Sequence, residues 1–160
     1  MKKIYIGLCI LGSMIFAQNA PFTGKIIQLK EKLDPTYEIP MNQFQKWHCE
    51  AVLKNGKKVK FISVKSMMQV YFHQKYFEKH KLLADDIESL YVKDFISGQK
   101  IDAKKAVYLF GSRMIGPHGD DLIPFSSEAN AKLFIMKNGG TKILPYEKLT
   151  IGLMRYLDTE

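Results

Sequence analysis

The dipeptide Asn55-Gly56 sits between two short apolar segments, in the stretch HCEAVLKNGKKVKFIS that spans residues 48–63. Both residues tolerate a positive φ, so the pair is the strongest short-range signal for a two-stranded hairpin. It predicts strands at about 47–53 and 58–63. Ser63 or Ser66 then offers a hydroxyl to an early backbone N–H and caps a helix. Met67, Met68, Tyr71 and Phe72 recur at helical spacing after it, so the helix should run to about Gln74 with its apolar face over the hairpin. Met67 and Met68 are adjacent, which predicts that only one of them faces the core directly.

The same grammar continues downstream. YFEKHKLLADDIES is ambiguous, with a short helix at about 84–88 as one reading. SLYVKDF alternates as a strand, and Ser97-Gly98 turns the chain. KAVYLFG at 105–111 is the next strand, and SRMIGPHGDD is a loop rich in glycine. LIPF is a short strand. SSEANAKLFIMKNGG reads as a helix capped by Ser126 or Ser127 and ended by Gly139. TKILPY is a strand, and a last helix is expected over 146–156. The order implies an α+β fold. Two small units, at about 47–94 and 103–149, echo one another and would have to share a core; one mixed layered domain is the other reading.

The N-terminus is of another kind. Lys2 and Lys3 precede IYIGLCILGSMIFA, an uncharged run of 14 residues. That is too short to span a bilayer and has the layout of a signal peptide, residues 1–17, with cleavage after Ala17 or Ala20. An uncleaved anchor is the rival reading. Leu8 before Cys9 is not the small residue that lipid attachment wants, so a lipoprotein is not expected. Residues 18–43, punctuated by Pro21, Pro35 and Pro40, read as a poorly structured lead-in to a domain at 44–156.

Removal of the leader leaves Cys49 as the one cysteine, so no intrachain disulfide can form. An inert buried thiol, a metal ligand and pairing with a partner all fit a lone exported thiol. The whole chain carries a formal charge of +8; without the leader it holds 22 basic against 16 acidic residues. The lysines are scattered and not interleaved with aromatic residues, which argues against nucleic acid. The charge could attract an anionic membrane surface or an acidic partner, but an ordinary solvated surface is the better reading.

Soft ligands are the chemistry on offer. Cys49, Met67, Met68, Met114 and His118 could together hold Cu(I), which favours thiolate and thioether. Met114 and His118 lie four apart in the glycine-rich loop. Each has a plainer reading, methionine as core filler and His118 as a solvated turn. No CxxC or HxxxH pattern suggests structural zinc. No GxGxxG, P-loop or GxSxG occurs. A Cys49–His118–Asp120 trio can be drawn for a thiol enzyme, but spacing alone fixes no geometry. The chain is therefore not expected to be an enzyme.

WHCEAVLKNGKKVKFISVKSMM and VKDFISGQKIDAKKAVYLFGSRMIGPHGDDLIPF, followed by a helix and GGTKIL, carry a resemblance over about residues 44–149. The chain resembles the NosL family, exported accessory proteins of nitrous oxide reductase maturation. That resemblance implies two small ββαβ units of treble-clef-like arrangement. It implies a periplasmic Cu(I)-binding chaperone working beside a membrane ABC-type complex. A metal-free docking or structural accessory protein is the alternative. Pro117-His118-Gly119 matches the family's Pro-Met-Gly loop, with His118 at the methionine position and Met114 able to restore a thioether. The family's Cys-Met at the first helix matches Ser66 with Met67 or Met68, so its cysteine is absent. The family's CGM motif near the mature N-terminus and its lipid-attached cysteine are absent too. Cys49 offers a thiolate from a position that does not match.

Overall fold

A computed structural model of the protein describes residues 32–159. The leader read at 1–17, with Cys9, and residues 18–31 of the lead-in lie outside them.

The Asn-Gly signal produces its hairpin. β1 (Cys49–Leu53) pairs antiparallel with β2 (Lys58–Phe61), setting Cys49 opposite Phe61 and Ala51 opposite Val59. Gly56 takes φ +80°, and the Asn55 side-chain oxygen accepts the Lys57 N–H at 3.0 Å. Ser63 caps α1 (Val64–Phe72), its hydroxyl accepting the Ser66 N–H at 3.3 Å. The helix stops earlier than its periodicity predicts. His73, at φ −119° and ψ 31°, leaves helical geometry, and α2 (Gln74–Lys79) starts a new axis. The Gln74 side-chain oxygen takes the Ile87 N–H at 2.9 Å and ties this break to the next strand.

β3 (Ile87–Lys93) pairs with β1, and β4 (Lys100–Asp102) pairs with β3. No helix forms at 84–88, because Ile87 already belongs to the sheet. The four-stranded antiparallel sheet has the order β2-β1-β3-β4. A 3-10 turn (Ala103–Lys105) leads to β5 (Val107–Phe110) and β6 (Ile123–Phe125). α3 (Glu128–Asn138) is capped by the Ser127 hydroxyl and ended by Gly139 at φ +69°. β7 (Lys142–Pro145) completes a second antiparallel sheet of order β6-β5-β7. A 3-10 turn (Tyr146–Lys148) and α4 (Ile151–Thr159) finish the described chain. The fold is α+β, with two antiparallel sheets. In each, the first strand lies between the second and the third.

The two sheets share their interior. One core holds Ala51, Leu53, Phe61, Leu90 and Val92 of the first sheet with Met67 and Val70 of α1. Tyr108, Leu144 and Met154, from the second sheet and α4, join the same core. The other core holds Leu109, Ile123, Phe125 and Ala131, with Trp47 and Phe95 reaching in from the first unit. Adjacent residues of β5, Tyr108 and Leu109, thus enter different cores, so that strand is covered on both faces.

A carboxylate makes the joint. Asp94 is fully buried just after β3. It accepts the N–H groups of Ile96 at 3.0 Å and Ser97 at 2.7 Å, and on its other oxygen the Ser126 N–H at 2.6 Å. Beside it the Phe95 N–H donates to the Pro124 carbonyl at 3.0 Å. Burial alone would raise the pKa of Asp94, but the donors of Ser97 and Ser126 outweigh it and hold the carboxyl well below the usual carboxylate range. A depressed folded pKa gives stability that is present above the unfolded value of about 4 and lost as pH falls below it. Asp94→Ala should cost about 3 kcal/mol at neutral pH, by urea unfolding, and should flatten the acid limb of the wild-type stability profile. An unchanged acid limb would show that the joint lies elsewhere.

Candidate functional site

The first turn of α1 presents N–H groups that no helix ladder can satisfy. Two buried aspartates serve this end of the molecule. Asp121 Oδ1 accepts the Lys65 N–H at 3.0 Å and the Leu122 N–H at 2.8 Å. Asp34 Oδ1 accepts the Ile62 N–H at 2.8 Å and the Ser66 hydroxyl at 2.6 Å, while its Oδ2 accepts the Thr36 and Tyr37 N–H groups. Negative charge here also suits the helix dipole. Residues 32–43, in the stretch read as a lead-in, are thereby tied to α1.

Lys65 is completely buried in this first turn. Its ammonium donates to the His118 carbonyl at 2.6 Å and the Leu157 carbonyl at 2.8 Å, and lies 3.4 Å from Asp158 Oδ1. The loop around His118 is tight. The Gly116 N–H donates to the Gly119 carbonyl at 2.8 Å, and Gly119 takes φ +73°. A Cβ on Gly116 would come within 2.6 Å of the Asp121 Cβ, so only glycine fits there. The loop presents the exposed His118 imidazole, which stacks on Tyr37 with centroids 4.1 Å apart and planes at 12°. The Tyr37 hydroxyl donates to Asp158 Oδ1 at 2.6 Å, and Gln69 Nε2 donates to Asp158 Oδ2 at 2.5 Å. Burial, then the Asp158 carboxylate, pushes the Tyr37 pKa far up, so the phenol stays protonated. A hollow of about 230 Å³ beside the imidazole is lined by His118, Gly119, Leu157 and Asp158.

The five candidate ligands do not converge. Cys49, Met67 and Met68 lie in the core beneath the first sheet, with relative exposures of 3%, 0% and 1%. Both methionines are buried, not one. Met114 is half-buried and packs on the second core. His118 alone of the five is exposed. The Cys49 thiol donates to the Trp47 carbonyl at 3.4 Å. Burial first, and then Asp121 and Asp34, raise its pKa well above the ordinary thiol value, so it is held as the neutral thiol. With Cys49 inside and His118 outside, the Cys49–His118–Asp120 trio is not assembled. His48 Nε2 meets the Gln43 carbonyl at 2.8 Å, and His73 Nδ1 meets the Gln69 carbonyl at 2.9 Å. Among the described residues, no three His, Cys, Asp or Glu side chains gather as a metal-binding group.

Sequence reasoning missed Asp34, Tyr37, Lys65 and Asp158. Asp34-Pro35 carries a turn signal that points to Asp34. Nothing in SVKSMM distinguishes a buried lysine from a surface one.

Two outcomes follow from these environments. Native Cys49 should react with iodoacetamide at pH 8 roughly 100-fold more slowly than in urea-unfolded protein; comparable rates would contradict its burial. Asp121 is buried, its Oδ2 lacks a hydrogen-bond partner, and its pKa is raised from 3.8 to about 6, burial outweighing the Ser63, Leu122 and Lys65 donors. A raised folded pKa means stability present below the unfolded value and lost as pH rises through the folded one. Wild-type stability should therefore fall by up to about 3 kcal/mol between pH 4 and 6.5. Asp121→Asn should remove that fall in urea titrations.

The NosL family model matches residues 30–154 of the chain. Among solved structures, the crystal structure of the copper chaperone NosL from Shewanella denitrificans is similar with a TM-score of 0.62 and 19% identity, covering 75% of this chain and 90% of that one. The solution structure of the apo-NosL protein from Achromobacter cycloclastes gives a TM-score of 0.45 and 22% identity, covering 66% of this chain and 87% of that one. No curated protein matches the chain. The Shewanella likeness is one of fold, and the family match spans more than three quarters of the sequence. The chain belongs to the NosL family.

Proposed function

We propose that the protein is an exported Cu(I) carrier that delivers copper for nitrous oxide reductase assembly, and not an enzyme. The family match over residues 30–154 is the observation that carries this reading. The solved copper chaperone that shares the fold supports it. On this reading residues 1–17 are a cleaved signal peptide, the protein works in the periplasm, and 18–43 is the lead-in to a domain at 44–156. The two sheets with their helices are the two treble-clef-like ββαβ units that the resemblance implies. The receiving machinery is a membrane ABC-type complex and its partners.

In this mechanism copper is cargo. His118, the exposed candidate ligand, meets it first from the hollow beside Asp158. Met114, four residues earlier, supplies a soft thioether if the loop lets it leave the second core. Cys49, Met67 and Met68 are buried and reach the cation only if the packing around them opens, and Cys49 must then lose its proton. Few ligands and an open edge let a partner's ligand enter before the donor's leaves.

A second reading, a metal-free docking protein of the same machinery, is favoured by one observation: the five candidate ligands do not meet. Anaerobic titration with Cu(I) against a competing chelator decides between them. The carrier reading expects stoichiometric binding, weakened about tenfold or more by His118→Ala. Absence of binding, or binding unchanged when Cys49, Met68, Met114 and His118 are all replaced, would overturn it. Metal-free co-purification with an ABC-type complex would then support docking.

A further inference from the structure

Lys65 is the one lysine fully buried among the described residues, and neither the fold ladders nor the copper reading uses its charge. Its ammonium bridges two segments distant in sequence: the loop, at the His118 carbonyl, and the last turn of α4, at the Leu157 carbonyl and the Asp158 carboxylate. A buried cation is costly unless it is paired and hydrogen-bonded, and these acceptors supply both conditions. The α4 carbonyl it caps lies at the negative end of that helix. At the start of α1 its charge opposes the dipole, which Asp34 and Asp121 offset. The same ammonium lies 5.5 Å from the Tyr37 ring centroid, and Tyr37 is the ring on which His118 stacks.

We propose that Lys65 is a positioning residue for His118. It fixes the backbone of the loop through the His118 carbonyl. With Asp158 it also fixes the Tyr37 ring that sets the plane of the imidazole. The imidazole is thereby held before any ligand arrives. Ordering it costs nothing at the moment of binding. One face lies against Tyr37, and the exposed residue also borders the hollow lined by Gly119, Leu157 and Asp158. The loop of this chain acts as a clamped presenter. The proposal rests on the Cu(I)-carrier reading only for its consequence on copper affinity; the clamp itself is a property of the metal-free protein.

The experiment uses the metal-free leaderless chain. The His118 ring protons, assigned by NMR with His118→Gln as reference, should lie upfield because they stack on Tyr37. In Lys65→Met that upfield shift should be lost, and hydrogen exchange at the Gly116 amide should quicken about tenfold or more. Gln74→Ala removes the acceptor of the Ile87 N–H, away from the ammonium and the His118 loop; it should lower the melting temperature and leave the His118 shift in place. Where Lys65→Met does not fold, Asp158→Ala, which frees the Tyr37 hydroxyl from a partly exposed acceptor, should move the same resonances. Cu(I) affinity, measured against the competing chelator, should weaken about tenfold with either variant. Unchanged His118 resonances in a folded Lys65→Met or Asp158→Ala protein would overturn the proposal, as would an equal loss of shift in Gln74→Ala. If the wild type holds no Cu(I) while the resonances behave as stated, the carrier reading fails and the clamp stands.

Discussion

Backbone donors at the junctions between elements must find acceptors, and three buried aspartates provide them. Asp34 serves Ile62, Thr36 and Tyr37; Asp94 serves Ile96, Ser97 and Ser126; Asp121 serves Lys65 and Leu122. An unpaired N–H inside a protein costs about as much as a lost hydrogen bond, so each carboxylate decides whether a junction can be buried at all. Asp94 lets the second sheet abut the first. Asp34 and Asp121 let the start of α1 be enclosed on both sides. That enclosure buries Met67 and Met68 together, although adjacent helical positions diverge by about 100°. A helix covering only a hairpin would bury one of them.

Legibility in the sequence followed the range of the interaction. The hairpin at Asn55-Gly56, the Ser63 and Ser127 caps and the Gly139 stop depend on contacts within a few residues, and each is where its local chemistry puts it. The break at His73 depends on Gln74 reaching Ile87, thirteen residues away. β4 is only three residues, Lys100, Ile101 and Asp102, and a single apolar side chain makes no alternation. Its pairing with β3 supplies the strand. The roles of Asp34 and Lys65 depend on partners 28 to 92 residues distant. No local pattern encodes such contacts.

The same distinction governs the candidate ligands. Cys49, Met67 and Met68 read as soft ligands because of their element chemistry, yet their positions on β1 and α1 face the apolar interior. A thiol there is held protonated by the loss of water, and thioethers there fill volume. His118 reads as a solvated turn residue, and it is exposed. What the loop sequence does not reveal is its immobilisation: glycines at 116 and 119 suggest freedom, whereas Gly116 is needed because Asp121 crowds it.

Charge then decides where a cation can approach. The chain is basic, at +8, and its general field repels metal ions. Around His118 the balance reverses. Lys65 is the buried cation, and Asp158, Asp121 and Asp34 stand against it, with the C-terminal end of α4 adding its carbonyl dipole. Asp121, with its pKa near 6, is mostly ionised only above that pH. The Lys65 ammonium is already spent on the His118 and Leu157 carbonyls, inside the protein and away from solvent. The hollow at the surface therefore shows a diffusing cation Asp158 and an imidazole. In a molecule with lysines scattered over its surface, that local sign makes the His118 hollow a more favourable approach for a cation than the basic surface around it.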